Sequence, residues 1–317
     1  MAKYLLKRIL AAIPTLLLTL TLIFFLIRAI PGNPIYSLAG AGEFISEEDL
    51  ARLADQKGLA GTALDQYIIY MKNIFSGNWG NSLFMGTSVI DAIGSRIEVT
   101  LMLTLVSMLV TVIIGVPLGI LAATKENSIL DYCTSGLSIL FMCIPNFVLG
   151  LLLIYIFGFK LQWFPISNYT YIADGGFFGA VYSVILPAFA IGMTNVAYTA
   201  RYTRTAMLSV MKRDYIRTAR AKGLSEKSVR YKHGLKNAFG TVLTTLSGAL
   251  LGCLGGSVVV EGIFNFNGIG ALASQALSRQ DYPLAQADVI MIALMFIILN
   301  IFLDIGYKLL DPRITFD

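Results

Sequence analysis

A single histidine, His233, stands among 317 residues. A histidine-built metal site or a Ser-His-Asp triad is therefore not expected within this chain. Cysteine is scarce as well: Cys133, Cys143 and Cys253 all fall in or beside apolar runs. They form neither a metal-type spacing nor a disulfide framework, so they read as small core residues. Charge is the third shortage. Charged residues make up 14% of the chain, where a soluble domain carries about a quarter. No phosphate loop of the form G-x-x-x-x-G-K-S/T occurs, so the chain is not expected to bind ATP in that way. No internal period marks two related halves, which counts against a self-sufficient secondary transporter. One histidine and scattered carboxylates also fail to supply the catalytic cluster that a membrane enzyme needs.

What is present is apolar: 56% of the residues are hydrophobic. Six runs of about 20 residues point to an all-α polytopic membrane protein rather than a barrel. The expected spans are 9–30, 99–123, 137–159, 183–202, 238–260 and 288–310. Lys3, Lys7 and Arg8 precede the first span, and the basic loops fall on one side. That bias places both termini in the cytoplasm. The first run is too long for a signal peptide and lacks a small-x-small cleavage site, so it is expected to remain as a span. Arg28 is expected to snorkel toward the outer interface. Pro145 falls inside the third span.

Residues 31–97 differ in kind, being polar and rich in acids. They read as an external, mostly helical insertion. Ser46 with Asp49 three residues on resembles a capped helix start, and 64–75 is a second helical candidate. The chain thus divides into a first span (1–30), the insertion (31–97) and a core of five further spans (98–317). Gly115/Gly119 and Gly248/Gly252, extended by Gly255 and Gly256, are small-xxx-small patterns. They suit packing within the chain or a seam with a second subunit. The polar residues Thr104, Ser107, Asn146, Asn195, Ser247, Ser257, Asn300 and Asp304 lie in or near spans. They read as inter-helical hydrogen-bond partners more readily than as ligand contacts, and the substrate pathway stays unassigned. Glu261, at the outer end of the fifth span, is expected to cap the external loop or to help form a gate.

The densest basic stretch is 201–236, with eleven Lys and Arg against Asp214 and Glu226. Membrane topology explains this excess without any nucleic-acid partner. Within this loop, Asp214 to Lys222 is expected to form about two helical turns. Asp214 suits the helix N-terminus, and Gly223 suits a left-handed stop. Tyr215, Thr218, Ala219 and Lys222 share one side. Small Ala219 and Ala221 would let the helix approach a groove closely.

Arg217-Thr-Ala-Arg-Ala-Lys-Gly223, followed by Leu235, resembles the cytoplasmic signature of ABC-importer permeases. The longer stretch Asp214 to Leu224 is similar to the version in the dipeptide/oligopeptide/nickel branch. Further resemblances lie at Arg8–Pro14, Pro31–Pro34, Val260–Phe264, Asn267–Gly270, Arg279–Pro283 and Leu310–Ile314. Asn33 stands where Asp is more usual, and Asn267 where Pro is. The resemblance is to the B-type permease and implies the type I importer fold. It also implies a non-catalytic membrane subunit beside a second permease, two ATPase subunits and an extracytoplasmic binding protein. The chain itself would carry no cofactor, and ATP with magnesium would sit on the ATPases. Coupling to them would run through Asp214, Tyr215, Arg217, Thr218, Ala219, Arg220, Ala221, Lys222, Gly223 and Leu224. The implied cargo is di- or oligopeptide, with nickel chelates or oligosaccharides as alternatives.

Overall fold

The computed structural model describes residues 2–31, 34–35, 46–56 and 59–310. The tail at 311–317 and Asn33 lie outside them. The described residues form helices and no strand. The helices are α1 (Ala2–Ala29), α2 (Glu47–Gln56), α3 (Ala63–Phe75), α4 (Val89–Gly94) and α5 (Ile97–Val110). Next come α6 (Val116–Thr124), α7 (Ile129–Cys143), α8 (Asn146–Leu153), α9 (Ile172–Met211) and α10 (Asp214–Ala221). The last are α11 (Glu226–Ser228), α12 (Lys236–Ile263), α13 (Ile269–Ser278) and α14 (Tyr282–Leu310). Wider π turns at Thr111–Gly115, Ile154–Lys160 and Val229–Leu235 continue α5 into α6, extend α8, and join α11 to α12.

Among the described residues, five stretches are long and apolar enough to cross a membrane: Leu10–Ala29, Val89–Thr124, Ile172–Met211, Glu226–Ile263 and Tyr282–Gly306. A sixth follows if α7 and the α8 segment count as one broken span, for they meet at 100°. This corrects the straight span expected over 137–159. The residue before a proline is driven out of the helical region. Ile144 accordingly adopts an extended conformation (φ −79°, ψ 120°) ahead of Pro145. The fourth span is also longer than expected. Helix α9 continues to Met211, so Arg201 and Arg204 sit on its last turns and not in a loop.

The chain forms two compact units. The first gathers Met1–Ile97 and Gly268–Ile297. In it, α1 meets α3 through aromatic rings: Phe24 lies 5.2 Å from Tyr67 and 5.3 Å from Tyr70, centroid to centroid. The expected cap at Ser46 is present, and the second helical candidate, α3, starts with a cap of its own. The Asp49 N–H donates to Ser46 Oγ (3.1 Å). Thr62 and Asp65 close a reciprocal capping box at α3, and those bonds hold the exposed Asp65 carboxyl below its usual range.

Asp281 is the knot of this unit. It is 1% exposed and precedes α14, where it accepts the Leu284 N–H at 3.3 Å. It also accepts the Ser82 hydroxyl (2.5 Å) and the Leu83 N–H (3.2 Å) from a loop almost 200 positions earlier in the chain. A buried carboxylate served only by neutral donors is stable because each lone pair finds an N–H or O–H. Asp281→Ala strands those donors. It is expected to destabilise the solubilised chain by about 3 kcal/mol, with Asp281→Asn costing less. Thermal unfolding checks this, and a midpoint unchanged in Asp281→Ala would refute it.

The second unit gathers Glu98–Asn267 and Ile298–Asp317. Its axis is α9, which packs on α6 and α12. The approach to α6 is very close, because a Cβ at Gly119 would lie 2.5 Å from the Ala200 carbonyl oxygen and 2.5 Å from Thr203 Cβ. Gly115 faces Val196 and Thr199 in the same way. Glu98 accepts the Ile172 N–H (2.7 Å) at the start of α9 and the Tyr169 hydroxyl (3.0 Å). Burial, with the bond to Glu98, pushes the Tyr169 phenol up. Glu261 is fully buried and accepts the Thr100 hydroxyl at 2.6 Å, so it ties α12 to α5.

Candidate functional site

Helix α10 forms where the sequence places it. Arg213, in extended conformation (φ −75°, ψ 150°), is its N-cap, and Asp214 follows in the first turn. The negative charge there complements the helix dipole. At the far end, the Leu224 N–H donates to the Ala219 carbonyl (3.4 Å) and the Gly223 N–H to that of Arg220 (2.9 Å). These two bonds constitute a Schellman stop. It requires a left-handed residue, and Gly223 supplies it with φ +73°. A Cβ at Gly223 would meet nothing within 4 Å.

The helix has two unlike faces. Ile216 and Ala219 are buried against Val229 and Met211. Asp214, Tyr215, Arg217, Thr218, Arg220, Ala221, Lys222, Gly223 and Leu224 are exposed. The structure therefore splits the side expected to hold Tyr215, Thr218, Ala219 and Lys222 together. Ala219 anchors the helix to its own chain, and Ala221 is the small residue left on the open surface. Ile216, the other anchor, carried no signal in the sequence, because its partner Val229 lies in a π turn beyond the glycine. Arg220 Nε donates to Glu226 Oε1 at 2.8 Å, and Arg230 approaches the other oxygen of Glu226 at 3.6 Å. The two arginines thus draw the π turn toward α10. The Asp214–Arg217 pair (3.5 Å) is almost wholly exposed and contributes little.

The mount beneath α10 is firmer. Arg204 donates from Nε and Nη2 to the two oxygens of Asp131, at 2.6 and 2.7 Å. The Asp131 side chain is 3% exposed and that of Arg204 27%. This two-point contact pins the end of α9 to the start of α7. The sequence did not mark it, since the partners lie 73 residues apart.

The intramembrane polar residues do not converge. Ser107 and Ser257 donate to carbonyls of their own helices, so they are not the inter-helical bonds expected. Asn195 donates to the Ile191 carbonyl of its own helix and also across to Cys253 Sγ of α12 (3.5 Å), as expected. Asp304 is buried on α14. The glycines of α12 divide by face. Cβ atoms at Gly252 and Gly256 would run into Asn195 and Asn146, whereas at Gly248, Gly255 and Gly262 they would meet nothing. Thr241, Thr244, Gly248, Leu251, Gly255 and Gly262 form one exposed row.

Two family models cover most of the chain. Residues 115–316 match the binding-protein-dependent transport system inner membrane component. Residues 1–104 match the N-terminal part of the same membrane component. The chain belongs to this family. It is a membrane permease, as its apolar helices require. It is similar along its whole length to the oligopeptide transport system permease protein AppB of Bacillus subtilis, with 37% identity over 318 residues and all of both chains covered. The glutathione transport system permease protein GsiC of Escherichia coli K12 is 37% identical over 316 residues, again with both chains fully covered. A putative peptide transport system permease protein of Brucella abortus is 37% identical over 318 residues, with the same coverage.

Proposed function

We propose that this permease is one membrane half of an ATP-driven importer of short peptides and that α10 is its contact with an ATPase subunit. The observation that carries the reading is the construction of α10. One face is fixed to the chain by Ile216 and Ala219, while the other is presented whole to the outside. A helix built this way transmits a push to the spans behind it. The docking residues are Asp214, Tyr215, Arg217, Thr218, Arg220, Ala221, Lys222, Gly223 and Leu224, with Ala219 as the foot. The concentration of Lys and Arg between 201 and 236 supports a cytoplasmic position for this surface and for both termini.

The chain lacks a phosphate loop, so the energy comes from two partner ATPases that bind ATP and magnesium. A second permease completes the pathway, and the exposed small-residue row on α12 offers it a smooth seam. A binding protein on the far side of the membrane delivers the cargo. Peptide is favoured because relatives with full coverage are named for oligopeptide, peptide and glutathione transport.

The test is Gly223→Val in the assembled importer. A branched residue at φ +73° is strained by about 1–2 kcal/mol, and its bulk projects from the open face. Peptide uptake is expected to fall about tenfold or more, while the complex retains ATP hydrolysis. Gly223→Asn, which tolerates the left-handed region, is expected to retain most uptake. Full uptake in Gly223→Val would remove α10 from the coupling route.

A further inference from the structure

The first unit holds a cavity of about 320 Å³ between the end of α1, α3, the loop at 78–83 and the start of α14. Arg28 lines it, and among the described residues no Asp or Glu does. Arg28 does not reach out to solvent, as its place at the end of a span suggested. Its Nε donates to Gln66 Oε1 (3.0 Å) and its Nη1 to the Phe24 carbonyl (3.1 Å). Its guanidinium carbon lies 3.5 Å from the Phe24 ring centroid and 4.9 Å from that of Tyr282. These contacts fix the plane of the group. They leave Nη2 unbonded, with no carboxylate in ion-pair range among the described residues.

Two more donors in the same wall are idle. Gln286 is 4% exposed, and its Nε2 has no hydrogen-bond partner. The Tyr70 hydroxyl is buried and likewise has none. Burial pushes the Tyr70 phenol up, so it remains an O–H donor. A half-buried cation and two unsatisfied donors on side chains that line one cavity are costly unless an anion completes them. The free edge of a guanidinium suits a flat, two-oxygen anion.

We propose that this cavity binds the terminal carboxylate of a short peptide, with Arg28 as the ion-pair partner and Tyr70 and Gln286 as further donors. The proposal rests on the import reading above and adds a peptide site on the permease itself. A lipid phosphodiester offers the same two oxygens. The amide of Asn73, which also lines the cavity, favours the peptide. It presents both a donor and an acceptor, matching peptide N–H and C=O groups, whereas a phosphodiester has no donor to return. The volume is that of a small-ligand site, and Trp79 supplies an apolar wall.

The experiment is calorimetric titration of the full chain, in phosphatidylcholine nanodiscs, with trialanine and with its C-terminal amide. The free acid is expected to bind about tenfold more tightly than the amide. Arg28→Met is expected to abolish that preference. Tyr70→Phe and Gln286→Leu are each expected to weaken the acid about threefold and leave the amide unchanged. These two variants leave the Arg28–Gln66 contact in place, so they decide the matter even if Arg28→Met fails to fold.

Equal binding of acid and amide, or a preference that survives all three substitutions, overturns the proposal. Displacement of trialanine by added phosphatidylglycerol overturns it in favour of a lipid phosphodiester. Trialanine uptake by cells carrying the complete importer separates the two readings. Uptake without an acid preference on the chain defeats this inference alone, whereas absence of both defeats peptide import as well.

Discussion

Gly119→Leu is expected to prevent the second unit from closing. Helix α6 meets α9 at a point where even one carbon at Gly119 would stand 2.5 Å from both a backbone oxygen and Thr203 Cβ. No rotamer relieves a clash that involves Cβ itself, and Thr203 is fully buried. Overpacking of a tight core usually costs about 1–3 kcal/mol, and a clash with main chain lies above that range. The contact is repeated one turn earlier at Gly115, so the two helices must separate along their length. Membrane levels of the variant should fall severalfold, and what remains should unfold at a clearly lower temperature. Gly262→Leu, in open space on α12, is the matched control and should leave the unfolding temperature unchanged. Normal stability of Gly119→Leu would show that α6 and α9 do not touch here.

Asp131→Ala carries the second large effect. Removing the carboxylate leaves Arg204 partly buried with no counter-charge, and it also frees the Asn127 N–H that Asp131 Oδ2 accepts. Breaking a buried pair from one side costs about 3–5 kcal/mol, and the partial exposure of Arg204 puts this case near the lower figure. Because the pair pins the end of α9 that carries α10, uptake should drop more than ATP hydrolysis does. The double change Asp131→Leu with Arg204→Met should recover most of the lost stability, since two apolar residues need no partner. A double-mutant cycle measures the coupling, and a value near zero would dismiss the pair as incidental.

How far the sequence shows these features depends on the range of the interaction. Caps are local: Ser46 with Asp49, and Gly223 after α10, were readable because each bond closes within a few residues. The apolar runs were readable for the same reason, since a span satisfies its own backbone. Pro145 was read as lying inside the third span, and the 100° break at it was not foreseen. Arg201 and Arg204 were placed in a loop because charge outweighed helical periodicity, and the buried Asp131 that justifies Arg204 lies far away in the chain. Ala219 was assigned to the docking face, yet Val229 claims it. The Asp281 cradle had no local sign at all, because its donors lie almost 200 positions away.

Helix α9 contains Pro187 and then runs on without interruption to Met211. At about 1.5 Å per residue, that stretch is a rod of roughly 35 Å, longer than the hydrocarbon core is thick. Only Lys212 and Arg213 separate it from α10, and Met211 is packed under α10. A force applied to the exposed face of α10 would cross one extended residue, Arg213, and then meet no break before Pro187, where a backbone hydrogen bond is missing by necessity. On the proposed coupling, the helix acts as a lever arm. Its pivot would then be the buried Pro187, and a small tilt at the surface would arrive there as a sideways stroke of the packed spans.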